Sequence, residues 1–238
     1  KLGATLRECD WHVTVGLDVP IPGAAKRPTH LINVQPGRID DYAPLWGIAV
    51  DIGTTTVSVW MVDLISGEVK AQVAEYNGQI ARGEDVISRI IYDGKKKDHE
   101  LRGLVTETIN VLLDRACKKV KAKPSDIVKA TITGNSIMIH LLLGIPADSI
   151  RHAPFITALN QVPRMTGRDV LLNTHPEASV HCMPGVASYV GSDISAGVLS
   201  SGMDDTEKIS LFIDVGTNGE MVLGNNEWLV TCACSAGP

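Results

Sequence analysis

Two short stretches carry carboxylates, glycines and hydroxyls at spacings suited to holding a phosphate. Gly47–Thr56 reads GIAVDIGTTT: an apolar run leads to Asp51, a glycine follows at Gly53, and Thr54, Thr55 and Thr56 come next. Ile-Ala-Val ahead of a glycine predicts a buried strand ending in a tight turn, because only glycine accepts the backbone angles and close approach needed there. Such a turn leaves backbone N–H groups facing one way, and the threonine hydroxyls add neutral donors. Asp51 would repel a phosphate directly, so its position implies a divalent cation, with its waters, between the two. The ligand implied is a magnesium nucleotide.

Strand, glycine and threonine turns are common in proteins of every function, and a second copy gives this one weight. Leu211–Glu220 reads LFIDVGTNGE, again an apolar strand followed by Asp214, Gly216, Thr217, Asn218 and Gly219. Aligning Asp51 on Asp214 aligns Gly53 on Gly216 and Thr54 on Thr217. Each copy continues into another apolar strand, at Val57–Val62 and Met221–Leu223. A duplicated strand, turn and strand unit predicts two like subdomains facing each other across a cleft, each supplying one aspartate and one Gly-Thr turn.

These residues resemble a known family. The paired turns are similar to the two phosphate motifs of the superfamily containing actin, the sugar and acetate kinases and the chaperone ATPases; Gly134-Asn135 stands where that superfamily has its first connecting motif. A closer resemblance is to the ATPase part of the reductive activators of corrinoid proteins. It rests on GIAVDIGTTT, RGEDVISRI at Arg82–Ile90, TGNSIMIHLLLG at Thr133–Gly144, APF at Ala153–Phe155, PGVASYVGSDISAGVL at Pro184–Leu199, and DVGTNGE, in order over residues 46–238.

The resemblance implies an α/β fold of the actin-like, ribonuclease H-like ATPase kind. Residues 46–203 would be its first subdomain, 204–238 the truncated start of its second, and 1–45 the tail of an upstream linker or middle domain. It implies ATP with Mg2+ in the cleft, the metal held by Asp51 and Asp214, through water. Gly53, Thr54, Thr55, Thr56, Gly134, Gly216, Thr217, Asn218 and Gly219 would surround the phosphates. It further implies a corrinoid protein of a methyltransferase system as partner, whose cobalt is returned from Co(II) to Co(I), together with an electron donor and a possible homodimer. The 2Fe–2S cluster of such activators belongs to a ferredoxin domain further upstream. The adenosine motif is expected downstream, so this stretch alone is expected to be inactive.

Composition narrows the alternatives. The 238 residues suffice for one large or two small domains with a core. A formal charge of −5 argues against general nucleic-acid binding, so phosphate affinity should be local. No apolar run approaches the ~20 residues of a membrane span, and no signal-peptide pattern opens the chain. Five scattered cysteines are an odd number and form no disulfide framework, which favours a reducing cytoplasm.

The elements that must position the site follow from pattern. Leu2–Glu8 predicts a short helix, Trp11–Val19 and Leu31–Val34 strands, and Pro20–Pro28 a connector. Val57–Leu64 and Glu68–Tyr76 predict a meander turning at Ser66-Gly67. Gly83–Ile91 predicts a helix whose positive N-terminal end suits Glu84 and Asp85; the resemblance makes the same two residues candidates for reaching the cleft or a partner. Glu100–Val120 repeats apolar residues at three and four, an amphipathic helix against a sheet flanked by the lysine runs Lys95–Lys97 and Lys118–Lys123, read as solvated faces. Strand Ile127–Thr133 ends at Gly134-Asn135, before a helix at Ile137–Leu143, as open α/β sheets build ligand crevices. Asn135 could orient a water at the terminal phosphate or cap the helix. It is too weakly basic to take a proton, so slow turnover is expected.

Val180–Met183 predicts the last strand of the first half. Pro184-Gly185 is expected to open a connecting helix, Val186–Leu199, with Asp193 facing solvent or lining the cleft. His175, His181 and Cys182 lack metal-ligand spacing. Cys232 and Cys234 share a strand face and read as buried packing, two being too few for a cluster. A small-molecule kinase of the same superfamily, or an interaction module with a degenerate cleft, would share these motifs.

Overall fold

The computed structural model describes residues 2–20, 28–39, 43–96, 98–216 and 218–235. Thr217, Lys97, and most of the Pro20–Pro28 connector, all singled out above, lie outside the described residues. A helix α1 (Leu2–Glu8) and an antiparallel pair, β1 (Val13–Asp18) and β2 (His30–Pro36), come first. The main sheet holds β3 (Trp46–Ile52), β4 (Thr56–Asp63), β5 (Val69–Tyr76), β6 (Ile127–Gly134), β7 (Met165–Thr166) and β8 (Ser179–Cys182). Its order is β5-β4-β3-β6-β8-β7. β3, β4 and β5 form an antiparallel meander, whereas β6 and β8 run parallel to β3. This is the mixed α/β sheet of the actin-like fold.

The crossover from β5 to β6 runs through α2 (Val86–Lys96) and α3 (Glu100–Val120), and α4 (Ser136–Leu143) leaves β6 directly. α3 packs across β4 and β5 because Leu101, Val105, Ile109, Leu112, Leu113 and Ala116 recur every three or four residues and are wholly buried. It ends where Lys121 turns left-handed and its N–H reaches Cys117 and Lys118 carbonyls. These side chains join those of β3, β4, β6 and α4 in one large core.

α5 (Ser192–Ser201) leads to a three-stranded antiparallel sheet, β9 (Ser210–Val215), β10 (Asn218–Gly224) and β11 (Leu229–Ser235), ordered β11-β10-β9. Its core is Val190, Ile194, Met203 and Val222 with Val198 and Phe212 against them. α5 contacts both β6 and β9, so it ties the two sheets together. A Cβ on Gly197 would come within 2.3 Å of the Phe212 ring, which is why a glycine stands there.

Two expectations are corrected. The connecting helix begins at Ser192, not Val186. Residues 184–190 instead form a loop, in which Ala187 and Val190 bridge each other, Gly185 N–H donates to Asn160 O, and Ser136 Oγ donates to Ala187 O. Cys232 and Cys234 do share a face of β11, but it is exposed, because the described chain lays nothing on that side of the sheet. No helix among the described residues is long and apolar enough to cross a membrane.

Candidate functional site

The two matching turns meet. A cavity of about 280 Å³ is lined on one wall by Asp51, Gly53, Thr54, Thr55 and Thr56, and on the other by Asp214, Gly216 and Asn218. Each turn is a hairpin closed by its own glycine: Gly53 N–H donates to Thr56 O and Gly216 N–H to Asn218 O, both at 2.9 Å. Those two amides are therefore spent within the turns, which corrects their expected role as phosphate donors. Ile52 pairs with Val57 but Val215 with Gly219, so the strands of the second copy begin pairing one residue nearer to each other in sequence than those of the first.

Asp51 lies at the carboxyl end of the central strand β3, between two neighbours. Thr133 Oγ1 from parallel β6 donates to its Oδ1 at 3.2 Å, and Ser58, its antiparallel partner on β4, also lines the cavity. Burial raises the Asp51 pKa above the ordinary aspartate value, the Thr133 hydrogen bond opposes this, and the charge of Asp214 raises it further.

Two more carboxylates line the same space. Asp193, at the start of α5, is not turned to solvent; burial, with repulsion from Asp51 and Asp214, pushes its pKa up to about 6. Its place is fixed by close packing, since a Cβ on Gly191 would fall 2.5 Å from Asn135 Cα and from Gly134 O. Glu220, on β10, is the cross-strand partner of Asp214 as Ser58 is of Asp51. It is 6% exposed, and burial with repulsion from Asp193 and Asp214 pushes it up to about 7. Sequence reading passed over Glu220; counting the register back from the turn would have found it.

Asn135 serves as the helix cap and stands at the cavity. Its Oδ1 caps α4 by accepting the Ile137 N–H at 3.0 Å, and the residue lines the cavity. With Oδ1 committed to the cap, the side-chain amide offers a donor there. Gly134 and Gly219 do not line the cavity. Gly134 is packed against the carbonyl of Ile52, where a Cβ would lie 2.8 Å away, and its N–H and carbonyl both bond Ser192 Oγ, at 3.1 and 3.0 Å. Gly219 is buried in the ladder opposite Val215 and Cys234. Asp85 caps α2, its carboxylate accepting from Ser88 N at 2.9 Å and Ser88 Oγ at 2.7 Å, while Glu84 is exposed.

The first turn is held from behind by a buried polar group that the sequence does not announce. Arg89 of α2 is fully buried, and its guanidinium donates to Thr54 O at 2.6 Å, Gly83 O at 2.9 Å and Gln79 Oε1 at 3.2 Å. Burial pushes its pKa down to about 10, with the nearby Asp85 charge opposing this, so it is a cation at neutral pH. Asn77, also buried, donates through Nδ2 to Gly53 O at 2.9 Å.

Four carboxylates around one cavity, three of them held above their ordinary pKa, form a donor set that a divalent cation would relieve. Among the described residues no three His, Cys, Asp or Glu side chains converge at direct metal-ligand distance. The arrangement fits a hydrated magnesium ion that keeps waters between itself and the protein, the usual habit of that metal beside phosphates.

Comparison with known proteins finds relatives of this chain. Residues 46–206 match the family model for the RACo middle region, and residues 208–238 that for the C-terminal domain of RACo, the ASKHA domain. The corrinoid activation enzyme RamQ of Eubacterium limosum is 36% identical over 218 residues, covering 88% of this chain and 36% of that protein. The Co(II) methylated amine-specific corrinoid protein reductase of Methanosarcina barkeri is 23% identical over 205 residues, covering 82% of this chain and 37% of its own. A solved structure, the reductive activator for corrinoid, iron-sulfur protein, superposes with a TM-score of 0.90 at 44% identity; the match takes in 100% of this chain and 37% of that one. The chain thus spans little more than a third of the length of these relatives.

Proposed function

Because this chain belongs to the RACo family, the reductive activators of corrinoid proteins, we propose that it forms the nucleotide-binding cleft of an ATPase that drives reduction of a corrinoid partner from Co(II) to Co(I), the electron coming from a separate one-electron donor. The observation that carries this is the meeting of Asp51 and Asp214, each at the end of a matching hairpin, on opposite walls of one cavity.

In this function ATP would lie between the two walls of the cavity, its phosphates near the amides and hydroxyls of Thr54, Thr55 and Thr56 on one side and near Asn218 on the other. Asp51 and Asp214 would hold a hydrated magnesium ion, which would supply positive charge against the phosphates. Positioning and charge neutralisation are most of what phosphoryl transfer requires. The Asn135 side-chain amide orients the attacking water or the terminal phosphate. Lacking a basic group, it gives slow turnover, suited to a machine whose product is a conformational change. Loss of the terminal phosphate loosens the hold between the walls, and α5, packed on both β6 and β9, carries the movement from one sheet to the other.

The test is a titration of the full-length protein, wild type and Asp214→Ala, with magnesium ATP, followed by optical measurement of cobalt reduction in a corrinoid protein with a low-potential chemical reductant supplied as the electron donor. The variant is expected to lose both ATP turnover and cobalt reduction. Undiminished activity in both would refute the role of the second turn.

A further inference from the structure

The first turn has an unusual rear side. Three consecutive carbonyls are each held by a donor from Asn77 or Arg89: Gly53 O accepts Asn77 Nδ2 at 2.9 Å, Thr54 O accepts Arg89 Nη2 at 2.6 Å, and Thr55 O accepts the Asn77 backbone N–H at 2.8 Å. The orientation of both side chains is itself fixed. Asn77 Oδ1 accepts the Gln79 N–H at 3.0 Å, which turns its Nδ2 toward the turn, and Gln79 Nε2 donates to Leu101 O at 2.9 Å, which leaves Gln79 Oε1 for Arg89. Asn77, Gln79 and Arg89 are all buried.

Resting on the nucleotide reading above, we propose that Asn77 and Arg89 are positioning residues that create the phosphate receptor of the first turn, by drawing its carbonyls inward and so aiming the amides of Thr54 and Thr55 at the cavity. In a planar trans peptide the carbonyl and the N–H of one unit point in opposite directions. Holding Gly53 O against Asn77 therefore turns the Thr54 N–H the other way, and holding Thr54 O against Arg89 does the same for the Thr55 N–H. The far side is where Gly53, Thr54 and Thr55 border the cavity. Successive amides presented in this way make a concavity for anions.

A guanidinium suits this task because its planar fork serves several acceptors at once, here Thr54 O, Gly83 O and Gln79 Oε1. An apolar side chain in its place leaves those buried acceptors without a donor. A lysine keeps the charge but only part of the fork. Gly83 belongs to the segment whose exposed Glu84 and Asp85 precede α2, so the same guanidinium also joins that surface loop to the turn.

The experiment uses the full-length protein with Arg89→Met, Arg89→Lys and Asn77→Ser. Affinities for magnesium ATP and for adenosine are measured by calorimetry, alongside hydrogen exchange of the 53–56 segment and thermal melting. Arg89→Met and Asn77→Ser are expected to bind magnesium ATP about tenfold to a hundredfold more weakly, with adenosine affinity unchanged and faster exchange in the turn. Arg89→Lys is expected to recover part of the loss. A general structural defect would weaken both ligands together, and that outcome would overturn the proposal. If Arg89→Met does not fold, Arg89→Lys and Asn77→Ser carry the same comparison. Variants that fold and bind magnesium ATP like the wild type would overturn the proposal while leaving the nucleotide site intact. A wild type that binds no magnesium ATP would overturn the site and this proposal together.

Discussion

The two turns share a sequence pattern and differ in what stands behind them. The first rests on the large core: its carbonyls are held by Asn77 and Arg89, and Asp51 is flanked by Thr133 on a parallel strand. The second rests on a three-stranded sheet with a small core, and Leu211, Ile213 and Val215 of its first strand are exposed. The comparison teaches that two copies of one turn pattern can be supported by different elements of a fold: side chains from the segment after β5 and from α2 reach the carbonyls of the first turn, and the first turn alone lies against the large core of the described residues.

The largest effects are expected from the carboxylates, where the two walls should behave alike. Asp51→Asn and Asp214→Asn should each lower ATP turnover in the full-length protein by about a hundredfold or more, as loss of a charge-positioning group does elsewhere. Steady-state phosphate release measures this. A strong effect from one and none from the other would break the symmetry of the chemistry.

The glycines should then separate the walls. A Cβ on Gly53 would lie 2.6 Å from Thr56 O, a backbone atom in a braced turn, whereas one on Gly216 meets nothing closer than Asn218 O at 3.8 Å. Gly53→Ala is expected to cost about 1–3 kcal/mol of stability. Gly216→Ala should stay within about 0.5 kcal/mol. Thermal or denaturant melting compares them, and equal costs would mean the second turn is braced as tightly as the first.

A smaller effect joins both walls through pH. Glu220 is raised from the usual 4.5 to about 7, and Asp193 from 3.8 to about 6. Between those values the folded protein holds protons that the unfolded chain has released, so stability falls as pH rises from about 4 to about 7 and is then level. Without magnesium or nucleotide the melting temperature should follow this course. Glu220→Gln should flatten it and melt higher than the wild type at pH 8, and magnesium should reduce the difference. A melting temperature rising through the same window would contradict the repulsion assigned to these groups.

Much of this was legible in the sequence wherever periodicity decides structure. α3 follows its apolar spacing along its whole length, β3 to β5 follow alternating burial and turn residues, and the repeated Asp-x-Gly pattern marked both turns. What was not legible depends on partners distant in sequence. Arg89 sits between Ile87 and Ile90 and would ordinarily be assigned to a solvated face; its burial is stabilised by acceptors at Thr54 and Gln79 that only the fold brings together. The small residues of 184–199 suggested one continuous helix, yet the first part is a loop because Ser136 and Asn160 bind its backbone. Glu220 was hidden for a simpler reason: its importance comes from pairing with Asp214, and pairing is a property of register.

The most direct test of the central claim, that both turns close on one metal-bound triphosphate, is a double-mutant cycle. Magnesium ATP affinity is measured by calorimetry for full-length wild type, Asp51→Asn, Asp214→Asn and the double variant. Residues acting on one shared ion couple, so the double variant is expected to bind scarcely more weakly than the weaker single one. Losses that simply add would show that the two aspartates act on separate things, and would contradict a single ligand held between the turns.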